Sequence, residues 1–177
     1  MLYTTTLTGP LGPMMLAGTE THLTGLWLAG QMHYAAHLPP DAPRRADLAL
    51  FARAEHWLNR YFAGDAPSPA ELPLAPEGSE FQKRVWALLL TIPYGQTTTY
   101  GALARAISAQ TGRPMAGQAV GGAVGCNPIS IIIPCHRVVG ANGSLTGYAG
   151  GLDKKRWLLA HEGVTLPGFS TSGPAPR

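Results

Sequence analysis

The chain has 177 residues, of which 45% are hydrophobic and 13% charged, a composition that excludes a disordered protein and fits one domain or two small ones. No run of about 18 apolar residues occurs, which excludes a membrane-spanning helix, and the first six residues lack the layout of a signal peptide. Two cysteines are too few for a disulfide framework, so we expect a protein of the reducing cytoplasm.

The net charge of +3 is unevenly distributed along the chain. Residues 1–78 carry four Lys/Arg and seven Asp/Glu, a net charge of −3, whereas residues 79–177 carry nine and three, a net charge of +6. A basic half is a plausible footprint for a polyanion, and ordinary surface charge is the alternative explanation.

Four elements are predicted in the N-terminal part. Residues 2–8, 14–17 and 23–29 are apolar or β-branched and are separated by turn residues, which predicts a small antiparallel sheet. Apolar residues then recur near helical spacing over residues 46–62, and Gly64 ends this helix. The predicted inner face of the helix contains Leu48, Phe51, Ala52, Leu58 and Phe62.

A proline-rich segment divides the chain. Residues 65–78 contain four prolines, which disfavour helix and sheet, so we predict a linker there. The predicted organisation is an N-terminal α/β domain over residues 1–64 and a C-terminal domain over residues 79–167. Residues 168–177 are rich in serine, glycine and proline, which predicts a disordered tail.

The C-terminal half begins with a predicted helix-turn-helix unit. Ser79 starts the first helix with a capping-box pattern, and Thr97 or Thr98 is expected to cap a second, short helix. Pro114 suits the first turn of a third helix, over residues 115–125. Helix, short connection, helix is the arrangement of a helix-turn-helix motif.

The third helix is rich in small residues. They are Ala116, Gly117, Ala119, Gly121, Gly122 and Ala123. Because glycine in a helix interior costs about 1 kcal/mol relative to alanine, this composition suggests that something approaches the helix backbone closely. A DNA groove and a tightly packed neighbouring helix are the two explanations, and the residues alone do not decide between them.

A potential nucleophile follows a short apolar run. Residues 131–133 are all isoleucine, which predicts a buried strand, and Pro134 interrupts it because proline has no N–H to donate. Cys135 comes next, beside His136 and Arg137, two potential cations that would lower the pKa of a thiol. A small, buried and unreactive cysteine is the alternative.

Two further elements are predicted after the cysteine. Residues 140–143 read as a tight turn of the hairpin kind. Asp153 is expected to cap a last helix over residues 154–161. The chain contains no internal repeat.

Several segments of the C-terminal half together resemble the O6-alkylguanine-DNA alkyltransferases, also called methylated-DNA–protein-cysteine methyltransferases. Residues 127–128, 134–138, 148–151 and 158–163 read Asn-Pro, Pro-Cys-His-Arg-Val, Tyr-Ala-Gly-Gly and Leu-Leu-Ala-His-Glu-Gly. The resemblance is nearly continuous over residues 79–163 and weaker upstream. It implies an α+β fold in which a small N-terminal domain of antiparallel sheet and helix, similar to ribonuclease H, precedes a winged helix-turn-helix domain.

The resemblance also implies an activity, which is DNA repair by direct reversal. The alkyl group of O6-alkylguanine, with O4-alkylthymine as a second candidate substrate, would move irreversibly to Cys135 and consume the protein. His136 is the implied base, acting through a bridging water because successive side chains of an extended chain point to opposite faces. Glu162 would orient and charge the imidazole, as carboxylates do in other triads. Asn127 would tie the cysteine turn together, and Tyr100 would protonate the departing base.

The implied partner is alkylated double-stranded DNA, whose minor groove receives the third helix while the damaged base is flipped out. The DNA-binding positions carried over from the family are Tyr100, Gly101, Ala116, Gly117, Gln118, Ala119 and Gly121. The positions of the alkyl and base pocket are Val138, Tyr148, Ala149 and Gly150. The resemblance implies no cofactor and no membrane, and we expect a monomer.

No metal site is predicted, although some relatives bind zinc through cysteines and histidines in the N-terminal part. No cysteine precedes Cys126 in this chain, which argues against such a site. The histidines of the N-terminal part are His22, His33, His37 and His56.

One position departs from the family pattern. Most relatives carry an arginine that fills the gap left by the flipped base, and an ungapped count back from Cys135 places Gln118 there, with Arg113 nearby. The alternative function is therefore an alkylated-DNA-binding winged-helix protein with weak or no transfer. A third class is a cysteine hydrolase built on Cys135, His136 and Glu162. The presence of Cys135 favours transfer, because the alkyltransferase-like binding proteins replace it.

Overall fold

The computed structural model describes residues 1–145 and 147–166. Its N-terminal half contains a three-stranded antiparallel sheet in the order β1 (Tyr3–Gly9), β2 (Gly12–Gly18) and β3 (Leu23–Leu28). The three predicted strands are confirmed. The predicted disordered tail lies outside the described residues.

Helix α1 (Ala49–Phe62) follows the sheet. It begins later than the predicted residue 46 because the backbone before it pairs with β1. Thr4 N donates to Pro43 O at 2.9 Å, and Arg45 N donates to Thr4 O at 2.9 Å. These ladder-like bonds hold the chain extended up to the start of the helix.

The buried face of α1 runs along its whole length to the C-terminal turn. It contains Leu50, Phe51, Ala54, Trp57, Leu58 and Tyr61. The predicted inner residue Ala52 is exposed, because at helical spacing it lies on the side opposite the buried stripe that runs through Ala54, Trp57 and Tyr61.

The proline-rich segment 65–78 is held against the sheet. A 3-10 turn forms over Pro69–Glu71, after which Leu23 N donates to Pro73 O and Ala75 N donates to Leu23 O, both at 2.8 Å. Proline cannot donate a backbone hydrogen bond, but its carbonyl accepts one. The segment is therefore docked on β3 and does not have the looseness expected of a linker.

Three helices form the helix-turn-helix part, α2 (Glu80–Leu89), α3 (Tyr100–Thr111) and α4 (Gly117–Gly125). Ser79 and Gln82 make the predicted capping box, in which each side chain accepts from the backbone N–H of the other. Reciprocal bonds of this kind satisfy two donors that would otherwise be unpaired at the helix start.

Thr99 caps α3, in place of the predicted Thr97 or Thr98. The reason is that Thr98–Thr99 forms a short strand, β4, which pairs in parallel with β5 (Val138–Val139). This two-residue pairing places the chain that follows the cysteine beside the start of α3.

The isoleucine run at residues 131–133 is a buried turn, and the prediction of a strand is wrong. Ile131 has a φ of 70°, in the left-handed region that β-branched residues rarely adopt. The chain just before it does extend the sheet, because Leu26 N donates to Pro128 O at 2.8 Å and Ser130 N donates to Leu26 O at 2.9 Å. An apolar run indicates burial but leaves the backbone path open.

The C-terminal elements differ from prediction in their ends. A tight 3-10 turn over Ala141–Gly143 is present, with Asn142 at a φ of 62°, but β5 pairs with β4, so this turn does not close the predicted hairpin. Helix α5 (Leu152–His161) begins after Gly151, whose φ is 99°. Asp153 therefore lies in the first turn and does not cap the helix.

One hydrophobic core joins the two halves, from Leu16 and Leu26 of the sheet to Val85, Ile107 and Leu158 of the helices. The predicted α+β class is confirmed. Among the helices of the described residues, none has both the length and the apolar character needed to cross a bilayer.

Candidate active site

Cys135 lies at the start of a buried 3-10 turn, Cys135–Arg137, and is 5% exposed. Asn127 secures the chain that leads into this turn. Its Nδ2 donates to Ile133 O at 2.8 Å, and its Oδ1 accepts from Ile129 N at 3.0 Å. One buried amide thus fixes both ends of the isoleucine turn, and with them the position of the thiol.

Burial raises the pKa of the Cys135 thiol, and this outweighs the opposing effects of neighbouring hydrogen-bond donors and of the Lys155 charge. The prediction that His136 and Arg137 favour the thiolate is therefore wrong for the free protein. Arg137 points into an ion pair with Glu162. The thiol remains protonated at neutral pH until a base removes its proton.

Glu162 is the centre of a buried hydrogen-bond network. Its Oε2 accepts from His136 Nε2 at 2.5 Å and from the Tyr61 hydroxyl at 2.6 Å. Its Oε1 accepts from Arg137 Nε at 2.7 Å and from Gly95 N at 3.0 Å. Burial alone would raise the pKa of Glu162, but the hydrogen bonds from His136 and Arg137, together with the charge of Arg137, hold it well below its ordinary value. Glu162 is therefore an anion at neutral pH.

The imidazole of His136 is neutral and has a defined tautomer. Burial lowers the pKa of His136, against the opposing effect of Glu162. Because the Glu162 carboxylate can only accept, Nε2 carries the proton and Nδ1 presents a lone pair. Nδ1 makes no hydrogen bond to any described residue, and within the same residues no hydrogen bond joins His136 directly to the sulfur of Cys135.

A buried lysine lies close to the thiol and was missed by the sequence analysis. Lys155 of α5 is fully buried, and its Nζ donates to Gly147 O at 3.2 Å. Burial lowers the pKa of Lys155 to about 8, while negative charge on Cys135 acts to raise it. Tyr61 was missed as well, because no local pattern links it to Glu162.

A cavity of about 720 Å³ opens between α4 and the loop before α5. The predicted site residues that line it are Tyr100, Gln118, Gly121, Tyr148 and Ala149. Burial and negative charge on Cys135 raise the pKa of Tyr148 well above its ordinary value, so its phenol stays protonated beside the thiol.

Two predicted pocket residues, Val138 and Gly150, do not line this cavity. Val138 is fully buried because its strand pairs with Thr98 and its side chain belongs to the core. Gly150 packs behind the Tyr148 ring, where an added Cβ would lie 2.9 Å from Cε1 of that ring.

The outer face of α4 is bare, in the sense that it is exposed and consists mostly of small residues. Of the predicted DNA-binding positions, Ala116, Gln118 and Ala119 are exposed at the N-terminal end of α4, and Gly101 is exposed in the first turn of α3. A Cβ added at Gly117, Gly122 or Gly125 would meet no described atom within 4 Å, so a tightly packed neighbouring helix does not explain these glycines. Within residues 1–145 and 147–166, no three His, Cys, Asp or Glu side chains are grouped to hold a metal ion.

These features define a class of protein with a helix-turn-helix part and a buried Cys–His–Glu arrangement, whose thiol interacts with a tyrosine that lines an open cavity. Residues 80–164 match the family model described as 6-O-methylguanine DNA methyltransferase, DNA binding domain. Residues 1–76 match the model described as 6-O-methylguanine DNA methyltransferase, ribonuclease-like domain. The chain belongs to the 6-O-methylguanine DNA methyltransferase family.

Individual relatives agree with the family match. A methylated-DNA–protein-cysteine methyltransferase of Mycobacterium tuberculosis is 44% identical over 169 residues, which cover 94% of this chain and 96% of that protein. One from Methanosarcina acetivorans is 47% identical over 163 residues, or 92% and 99% of the two chains. The crystal structure of Mycobacterium tuberculosis OGT in complex with DNA is similar with a TM-score of 0.75 and 45% identity, covering 90% of this chain and 92% of that chain.

Proposed function

We propose that this protein repairs DNA by direct reversal, as a methylated-DNA–protein-cysteine methyltransferase that takes the alkyl group of O6-alkylguanine onto Cys135. The observation that carries the proposal is the buried arrangement of Cys135, His136 and Glu162, in which the thiol interacts with Tyr148, a residue that lines the cavity under α4. The names of the relatives and the DNA complex of the Mycobacterium tuberculosis protein support the same activity.

The first step removes the thiol proton of Cys135. His136 Nδ1 has the available lone pair in the tautomer that Glu162 imposes, and it takes the proton through a bridging water. Glu162 stabilises the imidazolium that results, as the carboxylate of a catalytic triad does. The Lys155 charge stabilises the thiolate.

In the transfer step, the bond between the Cys135 sulfur and the alkyl carbon forms as the bond from that carbon to guanine O6 breaks. The electron pair of the broken bond stays on the guanine, and Tyr100, which lines the cavity, donates a proton to the departing base. The product is a thioether, which water does not hydrolyse at a useful rate. Each protein molecule therefore accepts one alkyl group.

DNA binds on the bare face of α4, which enters the minor groove while the alkylated base flips into the cavity. The net charge of +6 over residues 79–177 favours this side for a polyanion. Residues 1–64 and 79–167 act as two domains joined through segment 65–78, a division that the two family matches support. We further propose that the protein acts as a monomer in the cytoplasm, where its two free cysteines stay reduced.

The test of this function is the mass of the intact protein after incubation with O6-methylguanine duplex DNA. We expect the gain of a single methyl group, which peptide mapping places on Cys135. Cys126→Ser is the matched control and should still be methylated, whereas Cys135→Ser should not. A methyl group on Cys126, or uptake by Cys135→Ser, would contradict the proposal.

The bare glycines of α4 provide a second test. Gly122→Ala is expected to raise the free energy of unfolding by up to about 1 kcal/mol and to weaken binding to duplex DNA, because its Cβ projects into the open space at the cavity, where the DNA is proposed to approach. Thermal denaturation and fluorescence anisotropy measure the two effects. Ala52→Gly, on the exposed face of α1, should lower stability and leave DNA affinity unchanged. Equal DNA affinity of Gly122→Ala and the wild type would show that this face does not meet DNA.

The neutral residue Gln118 provides a third test of the proposed function. Gln118→Arg is expected to speed transfer from duplex DNA roughly fivefold, equivalent to about 1 kcal/mol, because a charged and planar side chain fills the stack better than a neutral amide. Transfer from free O6-methylguanine should not change, since no base is flipped. Gln96→Arg adds the same charge in an exposed turn and should give no such selectivity. An equal gain on both substrates would exclude an effect through flipping.

A further inference from the structure

One side chain of the N-terminal half reaches the buried carboxylate of the active site. Tyr61 lies in the last turn of α1 and is 101 positions away from Glu162 in sequence, yet its hydroxyl donates to Glu162 Oε2 at 2.6 Å. The same oxygen accepts from His136 Nε2. Arg137 Nη2 donates to it as well, at 3.2 Å, so three donors share this one oxygen of the carboxylate.

The position of Tyr61 is fixed on every side. Its ring stacks on Trp57 at 5.8 Å between centroids and meets the edge of Tyr94 at 5.9 Å. Its carbonyl oxygen is 2.7 Å from Nε2 of His161, the residue next to Glu162. Burial raises the pKa of Tyr61 well above its ordinary value, so the hydroxyl keeps its proton and remains a donor.

We propose that Tyr61 is a positioning residue for alkyl transfer, which holds Glu162 in place and, through it, sets the basicity of His136. The N-terminal half is then part of the acid–base machinery as well as a partner in packing. This inference rests on the proposed function, because the basicity of His136 affects a rate only if His136 takes the proton of Cys135.

The direction in which Tyr61 changes the pKa of His136 follows from the fact that both residues donate to the Glu162 carboxylate. A hydroxyl that donates to Glu162 stabilises its negative charge and weakens its pull on the His136 proton. Removing that hydroxyl leaves more of the charge to His136 and raises the pKa of the imidazole. Since only neutral His136 can accept a proton, the acid limb of the transfer rate then moves to higher pH.

Each variant that tests the role of Tyr61 changes one group that faces His136 and Glu162 and leaves the rest in place. The titratable and charged groups around the pair are Tyr61, Tyr94, Cys135, Arg137, Tyr148 and Lys155. Of the tyrosines, Tyr94 is the matched control. It belongs to the same aromatic cluster, but its hydroxyl donates to the carbonyl oxygen of His161 at 3.3 Å and not to Glu162.

The experiment measures single-turnover transfer from O6-methylguanine duplex between about pH 5 and pH 9 on the full chain. Tyr61→Phe keeps the ring and removes only the hydroxyl. We expect its acid limb to move up by about one pH unit, so that transfer is about 10-fold slower at the acid end and within about twofold of wild type above pH 8. NMR titration of His136 should show the same upward shift in the pKa of the imidazole. Tyr94→Phe should keep the wild-type profile.

A stronger donor at the same position should act in the opposite direction. Replacing Tyr61 by 3-fluorotyrosine retains the fold and makes the hydroxyl more acidic, so the acid limb should move to lower pH. The 3-fluorotyrosine variant tests the positioning role of Tyr61 even if Tyr61→Phe does not fold.

Three results would overturn the role of Tyr61. They are a loss of rate that is equal at every pH, a shift of equal size in Tyr94→Phe, and a 3-fluorotyrosine profile identical to wild type. Failure of the proposed function is a different result, since the wild-type protein would then take up no methyl group at any pH.

Discussion

Glu162→Gln is expected to slow single-turnover alkyl transfer at least about 100-fold, while affinity for duplex DNA stays within about twofold of wild type. The amide removes the negative charge that stabilises the His136 imidazolium. It also presents an N–H₂ group to a carboxylate site that is surrounded by donors, from Tyr61, Gly95, His136 and Arg137. The tautomer that leaves Nδ1 free is then no longer favoured. The bare face of α4 is unaffected, so DNA binding remains.

The same substitution should lower the free energy of unfolding by about 3 kcal/mol or more, because Arg137 becomes a buried charge without its counter-ion. The pKa of Glu162 is depressed in the folded protein, so its stabilising contribution is complete above the ordinary carboxyl range and is lost as pH falls through the folded pKa. Glu162→Gln should therefore lose less stability than wild type on acidification.

Rapid-quench transfer assays, anisotropy with duplex DNA and thermal denaturation against pH measure these three effects. Glu80→Gln, in the exposed first turn of α2, removes a carboxylate of the same size without touching the network. It should behave as wild type in transfer. An unchanged transfer rate in Glu162→Gln would remove Glu162 from the mechanism.

Lys155→Met is expected to make the protein more stable and less active at neutral pH. Burial lowers the pKa of Lys155 to about 8, so the folded protein holds the charged form at a cost below that pH. Methionine fills similar space without the charge, which should raise the free energy of unfolding by about 2 kcal/mol at pH 7. The Cys135 thiolate loses its nearby cation, and transfer should slow about 10-fold.

The pH dependence distinguishes this explanation from better packing. A lysine with a depressed pKa destabilises fully below about pH 8, and the cost fades as pH rises toward the ordinary lysine pKa of 10.5. The stability gain of Lys155→Met should therefore shrink over the same range. Lys154→Met is the control for the transfer rate, which should stay near that of wild type because Lys154 is half-buried and donates to Ala29 O, away from the thiol. A gain of equal size at every pH would contradict the charge argument.

The sequence was most informative where function depends on local motifs. Asn127, Cys135, His136 and Glu162 were identified from short segments whose spacing the family shares, and the structure brings all four to one buried site. The helix starts were less predictable. Thr99 replaces the expected cap of α3 because β4 pairs with a strand some forty residues later, and such a pairing leaves no trace in local periodicity.

The errors at the site itself have a common physical origin. Closeness in sequence predicts an effect of Arg137 on the thiol, whereas its guanidinium turns toward Glu162. Tyr61 and Lys155 were missed for the converse reason, because their partners lie on other elements. Ile131 shows the limit of apolar patterns, which predict burial but not a positive φ.

The hydrogen bonds that close the site also determine how the protein folds. Tyr61 with Glu162, His161 with Tyr61, and Ser130 with Gln31 join residues 101, 100 and 99 positions apart. Contacts of such high sequence separation form only after large loops have closed, which makes folding slow and leaves few routes to a partly formed site. Because Tyr61 belongs to the N-terminal half, the set of donors around the carboxylate that acts on His136 is complete only when the two halves have docked.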